Sequence, residues 1–144
     1  MQNTPNQVRL VLSAFVAMLV LSALDQTILS TALPAIVKEL HGQDRMSWVF
    51  SAYLMASTVA IPLYGRLADL HGAKPWLLVA TGLFLAGSVT CGLASSMGQL
   101  IAARAVQGAG GGGLMTLTIL GVAALVPLQR RTALQGLLGA SYGL

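Results

Sequence analysis

Charge is scarce in this sequence. Of its 144 residues only 8% are charged, eight Lys or Arg and four Asp or Glu. A soluble domain carries roughly a quarter of its residues charged to keep its surface in water, so a soluble globular protein is excluded. Cysteine is nearly missing as well. Cys91 stands alone inside an apolar run, which rules out a disulfide framework within the chain. His41 and His71 lie far apart without a partner at ligand spacing, and read as loop positions rather than metal ligands. No metal and no other cofactor is expected. There is no Ser/His/Asp, Cys/His or paired-carboxylate arrangement, so an enzyme is not expected either. The net charge is +4, but no basic patch with interleaved aromatics accompanies it. The cations sit at the ends of apolar runs, and no nucleic-acid partner is expected.

What the sequence does have is apolar length, with 56% hydrophobic residues. Trp48 to Pro62 and Trp76 to Ala94 contain no charge at all. A helix needs about 20 apolar residues to cross a hydrocarbon core of roughly 30 Å. The pattern predicts an all-α integral membrane protein. Spans are expected over about 10–35, 47–67, 75–94 and 99–126, with the start of a fifth over 134–144. A polar cytoplasmic lead over 1–9, carrying Pro5, would precede them. Arg9 followed by Leu10 to Leu24 also describes a signal peptide. Against that, the apolar character runs on past Asp25 to Leu33, and no Ala-x-Ala site closes the run.

The stretch Gly65 to Pro75 is the densest polar segment and reads as a short turn between two spans. Arg9, Arg66, Lys74, Arg130 and Arg131 gather on one set of loops, against Asp69 alone. The other set, 38–46 and 95–98, is neutral. The positive-inside rule then places the N-terminus, the 65–75 turn and the 127–135 loop in the cytoplasm.

Two ionisable residues fall within spans, Asp25 and Arg104. A charge at depth costs at least about 2.5–3.5 kcal/mol on insertion scales, so it normally faces the bundle interior and has a partner. Asp25 precedes Pro34 by nine residues and Arg104 follows Gln99 by five, which puts both in the outer half at similar depth. They are expected to face a shared polar cavity and to pair, directly or through water. A carboxylate so placed can be tuned to gain and lose a proton. A structural ion pair with no part in transport is the alternative. Gln107, one turn beyond Arg104, shares its face.

Gly108 to Gly113 matches G-x-G-x-x-G at Gly108, Gly110 and Gly113. A nucleotide site is rejected, because no strand precedes it and no acidic residue follows Asp69. Small residues that let another helix approach closely are the better reading, with Gly108, Gly110 and Gly112 as the packing positions. Such a run also loosens the helix.

In this order the motifs resemble the major facilitator superfamily. Gly65-x-x-x-Asp69-x-x-Gly72-x-Lys74 is similar to its signature loop between the second and third helices. Leu100-x-x-x-Arg104-x-x-Gln107-Gly108-x-Gly110 is similar to the fourth-helix motif of the drug–proton antiporters. Leu24-Asp25-Gln26-Thr27-Ile28-Leu29-Ser30-Thr31-Ala32-Leu33-Pro34 is similar to the first-helix motif of their fourteen-helix branch. The resemblance implies the N-terminal part of a facilitator helical bundle in the plasma membrane (the inner membrane of a Gram-negative cell). It implies efflux of small amphipathic or cationic compounds in exchange for protons. Asp25, Arg104 and Gln107 would serve proton and substrate coupling. Asp69 and the turn glycines, with Lys74, would lock or release the inward and outward states. Leu70 and Ala73 stand where the signature loop usually carries basic residues, which thins its charge network.

Such transporters hold substrate between two helical halves. The chain is therefore expected to be a fragment, inactive alone, whose partners are the bilayer, protons, a small-molecule substrate and the remaining helices. Gly136-x-x-Gly139-x-x-x-Gly143 is similar to the opening of the antiporter fifth-helix motif, whose core would lie beyond Leu144. A small assembly or regulatory subunit, an oligomeric channel, and a sugar or metabolite carrier are the alternatives. Sequencing the coding DNA past codon 144 should find an open frame. A stop codon there, with a stable protein of 14.9 kDa in the membrane, would overturn the fragment reading.

Overall fold

The computed structural model describes residues 5–125 together with Gly136. They form four helices, α1 (Pro5–Glu39), α2 (Met46–His71), α3 (Ala73–Gly92) and α4 (Met97–Leu125). A single 3-10 turn, Gln43–Arg45, leads into α2. All four are long and apolar enough to cross a membrane, and the fold is an all-α membrane bundle. The fifth span expected over 134–144, and Arg130 and Arg131 before it, lie outside the described residues apart from Gly136.

The helices run further than the sequence suggests. The lead expected over 1–9 is helical from Pro5 onward. Proline suits the first position of a helix, where its missing N–H costs nothing. At the other end α1 continues through Lys38 and Glu39, where a loop was expected. A cation in the last turn complements the partial negative charge of the helix end. The Gly42 N–H then donates to the Val37 carbonyl at 3.1 Å, and His41 takes the left-handed conformation at φ 51°. Together these close the helix in the manner of a Schellman motif.

The 65–75 segment is the largest departure. Instead of a turn it is helix on both sides of one residue, Gly72. Gly72 has φ 84°, open to a residue without a Cβ, and its N–H donates to the Ala68 carbonyl at 2.8 Å. Arg66, Asp69 and Lys74 are exposed on the flanking helix ends, so their charges need no loop to reach a polar medium. α4 likewise starts at Met97, ahead of the expected 99. The Ser96 hydroxyl accepts from the Gln99 N–H at 3.3 Å, and Gln99 Oε1 accepts from the Ser95 N–H at 3.0 Å. The first bond satisfies a donor that the helix start leaves open, and the second ties the preceding residue to the first turn.

α4 is the centre of the bundle. Within its membrane window 56% is buried inside the structure, against 17%, 11% and 17% for α1, α2 and α3. It packs along both α2 and α3 and touches α1 over a shorter stretch. Its glycines set the distance. A Cβ on Gly108 would strike the backbone of Tyr53, and one on Gly112 would come within 2.5 Å of the Ser57 carbonyl oxygen, both on α2. On the other side a Cβ on Gly110 would lie 2.7 Å from the Ala80 carbonyl oxygen of α3. α3 answers with Gly87, which faces the backbone of Gln107. Lipid chains are as apolar as leucine, so helices associate in a membrane through such close van der Waals approach.

Apolar clusters fill the bundle at its two ends. Tyr64, Ala80, Phe84, Leu114 and Leu117 pack toward the Gly72 end, and Phe15 meets Val122 beside them. Leu33, Val37, Val49, Met97 and Leu100 pack toward the opposite end. Between them lies the polar level described below.

Replacing Gly112 by Ala is expected to lower the stability of the detergent-purified protein by about 1–3 kcal/mol, the usual cost of overpacking. Gly82→Ala, where a Cβ meets open space, should be neutral or stabilise by up to about 1 kcal/mol. Thermal unfolding of the two variants checks the contrast. Equal effects would show that the close approach at Gly112 is not what holds α4 to α2.

Candidate functional site

All four helices send a polar side chain to one level of the bundle. α1 supplies Asp25 and Gln26, α2 Tyr53, α3 Ser88 and Cys91, and α4 Arg104 and Gln107. Asp25 lies on α1 between Phe15 and Leu33, and Arg104 and Gln107 lie on α4 between Leu100 and Leu114. The polar groups therefore form a layer with apolar packing on either side.

Arg104 and Gln107 are the most enclosed members, each at 1% exposure. Arg104 Nη1 donates to Gln107 Oε1 at 2.7 Å and to Asp25 Oδ2 at 3.4 Å, and its Nη2 donates to Gln26 Oε1 at 3.1 Å. The Asp25 contact is the single ion pair among the described residues. Gln107 bridges the pair, because its Nε2 also donates to Asp25 Oδ2 at 2.7 Å. The amide thus accepts from the cation and donates to the anion in one step. Asp25 Oδ1 accepts from Ser88 Oγ at 3.4 Å. Cys91 Sγ donates to Gln107 Oε1 at 3.6 Å. On the α2 side the guanidinium carbon lies over the Tyr53 ring, 4.4 Å from its centroid.

The pair is lopsided. Arg104 is closed off, while Asp25 keeps 24% of its side chain open. A cation buried this deeply needs its partners, because an unpaired charge in a low-dielectric interior is costly. The carboxylate is the member that can exchange with its surroundings. The arrangement is chemically suited to one event, the neutralisation of Asp25 by a proton or by a cation arriving at its open side.

Asp25, Arg104 and Gln107, singled out in the sequence, meet here. Gly108, Gly110 and Gly112 lie on the same helix, where they bring α2 and α3 close. Gly65, Asp69, Gly72 and Lys74 do not join them. Tyr53 and Asp69 are sixteen residues apart on α2, about 24 Å along its axis at 1.5 Å per residue. Sequence reasoning missed Tyr53, Ser88, Gln26 and Cys91 as members of the layer. Gln26 was visible as the neighbour of Asp25 within its motif. Ser88 and Cys91 are three residues apart, a shared helix face, but nothing in an apolar run distinguishes them before α3 is docked.

The sequence profile of the Major Facilitator Superfamily matches residues 15–144. An efflux pump of Dothistroma septosporum, dotC, is 45% identical over 124 residues, covering 86% of this chain and 21% of its own length. Multidrug resistance protein 3 of Bacillus subtilis is 40% identical over 126 residues, 88% of this chain and 25% of its own. The multidrug transporter protein MdtP of the same organism is 39% identical over 135 residues, 94% of this chain and 25% of its own. The chain therefore spans about a fifth to a quarter of the length of these relatives.

Asp25→Asn is expected to destabilise the protein more than Arg104→Gln, by on the order of 1–3 kcal/mol, because it strands an enclosed cation. The reverse change leaves a carboxylate that is partly open. Combining the two substitutions should recover part of the loss. Unfolding midpoints of the three purified variants check this order, and equal single effects would contradict the asymmetry.

Proposed function

The chain belongs to the major facilitator superfamily, and on that premise we propose that it is the N-terminal part of a proton-coupled multidrug efflux transporter. The transporter would sit in the plasma membrane with its N-terminus in the cytoplasm, and would exchange small amphipathic or cationic compounds against protons. Remaining helices would complete the substrate cavity. The observation that carries the reading is the contact among Asp25, Gln107 and Arg104, which joins α1 to α4 through one titratable carboxylate.

The proposed step follows from that geometry. A proton on Asp25 removes the anion that Arg104 and Gln107 both address. The bridge through Gln107 then ends on a neutral, weaker acceptor, and the polar link between α1 and α4 weakens. Since α1 touches α4 over a shorter stretch than α2 or α3 does, the seam that proton binding loosens is the shortest of the three that α4 makes. A cation reaching the open side of Asp25 competes for the same carboxylate, so proton and cationic substrate exclude one another there. Coupling of this kind requires only that each ligand bind the two states of the transporter differently. At the far end of α2, Gly65, Asp69, Gly72 and Lys74 are assigned to holding or releasing those states. The printed names of the relatives, an efflux pump and multidrug transporters, support export as the direction.

The test is drug efflux from cells expressing the complete gene. Asp25→Asn should reduce proton-driven efflux at least about tenfold, the equivalent of about 1.4 kcal/mol, and should abolish its dependence on pH. Gln107→Leu should lower efflux while leaving some pH dependence. Normal efflux by Asp25→Asn would overturn the assignment.

A further inference from the structure

Arg104, Gly108 and Gly111 stand at spacings of four and three on one face of α4. All three address the same residue of α2. The guanidinium of Arg104 lies over the Tyr53 ring. A Cβ on Gly108 would strike the Tyr53 backbone, and one on Gly111 would strike the Tyr53 hydroxyl and lie 3.1 Å from Cζ of the ring. The two glycines thus form a slot that receives Tyr53 from end to end, and Arg104 closes it. Arg104 Nε has no hydrogen-bond partner among the described residues, and on the α2 side the guanidinium meets the ring face.

We propose that Tyr53 is a positioning residue, which holds the Arg104 guanidinium at a fixed place beside Asp25 whatever the charge on that carboxylate. The proposal rests on the coupling role given to Asp25 and Arg104 above. A cation is attracted to the face of an aromatic ring, most strongly where water is excluded. That attraction does not depend on Asp25. When Asp25 is neutralised, the arginine loses its counter-charge but keeps the ring and the amide oxygens of Gln26 and Gln107. It therefore stays in place, ready to receive the carboxylate again.

Without the ring the guanidinium is free to close on Asp25 from its present 3.4 Å. The distance between cation and carboxylate, which sets how strongly the two interact, is then no longer fixed. The titratable groups at this level are Asp25 on α1, Tyr53 on α2, Cys91 on α3 and Arg104 on α4. Because Cys91 reaches the layer through Gln107, changes at Tyr53 leave its contact alone.

Two measurements on the complete gene product test this. In the first, unfolding midpoints are compared for Tyr53→Leu, Arg104→Met and the double variant. The double variant should lose less than the sum of the two single losses, and additive losses would overturn the contact. In the second, the pH profile of efflux is recorded. Tyr53→Leu should shift its midpoint, Tyr53→Phe should leave it unchanged, and Gly111→Ala should shift it as Tyr53→Leu does. Adding Tyr53→Phe to Gly111→Ala should restore the profile, since the hydroxyl that the new methyl meets is then gone. An unshifted profile in Tyr53→Leu, or no rescue in the double variant, would overturn the positioning role. Asp25→Asn is run alongside. Unaltered efflux in that variant would sink the coupling reading, while the unfolding comparison still decides whether Tyr53 holds Arg104.

Discussion

The bundle depends on how closely the backbone of α4 approaches its neighbours. In water, burying apolar side chains would drive the helices together, but that force is missing between helices in lipid. What remains is contact at short range, and short range needs small residues. The run of glycine at 108 and 110–113 provides it on both sides of α4. In a soluble helix each glycine would cost about 0.8–1.0 kcal/mol relative to alanine. In a membrane the backbone has no water to bond with, so the helix persists despite them. The same residues that would weaken α4 in solution are what let it sit at the centre.

Close approach has an electrostatic consequence. With α2 and α3 drawn against α4, the side chains between them lose contact with solvent, and Arg104 ends at 1% exposure. A charge enclosed to that degree must be matched by neighbours rather than by water. Its partners come from different helices: Asp25 and Gln26 on α1, the Tyr53 ring on α2, Gln107 on α4 itself. Gly87 permits the α3 backbone to lie against Gln107, which fixes the bridging amide. Packing and charge are therefore one arrangement seen twice, and neither survives without the other.

Much of this was legible in the sequence. Scarcity of charge and long apolar runs give the membrane bundle, and two isolated charges at similar depth give the Asp25–Arg104 meeting. The glycine run reads as packing because no strand or acidic residue supports a nucleotide site. Helix ends were less legible. Pro5, Lys38 and the charges around Gly72 look like loop composition, yet each is compatible with a helix terminus, where polar residues also collect. Tyr53 and Ser88 were invisible for a different reason. Their significance arises from which helix lies opposite, and a single apolar run carries no record of its neighbour.

The junction at Gly72 fixes how α2 and α3 can move. α2 ends at His71 and α3 begins at Ala73, so the two rods share a corner with no slack. Consecutive Cα atoms are 3.8 Å apart, and a one-residue link cannot let its ends slide past one another. Relative motion of α2 and α3 at this end is restricted to swinging about the φ and ψ of Gly72. Far from the corner, the lever arm converts a small change in those two angles into a displacement several residues long. The level that holds Tyr53 and Ser88 lies well out along those arms, short of the apolar cluster at the opposite end, so a modest rotation at the corner reaches it amplified.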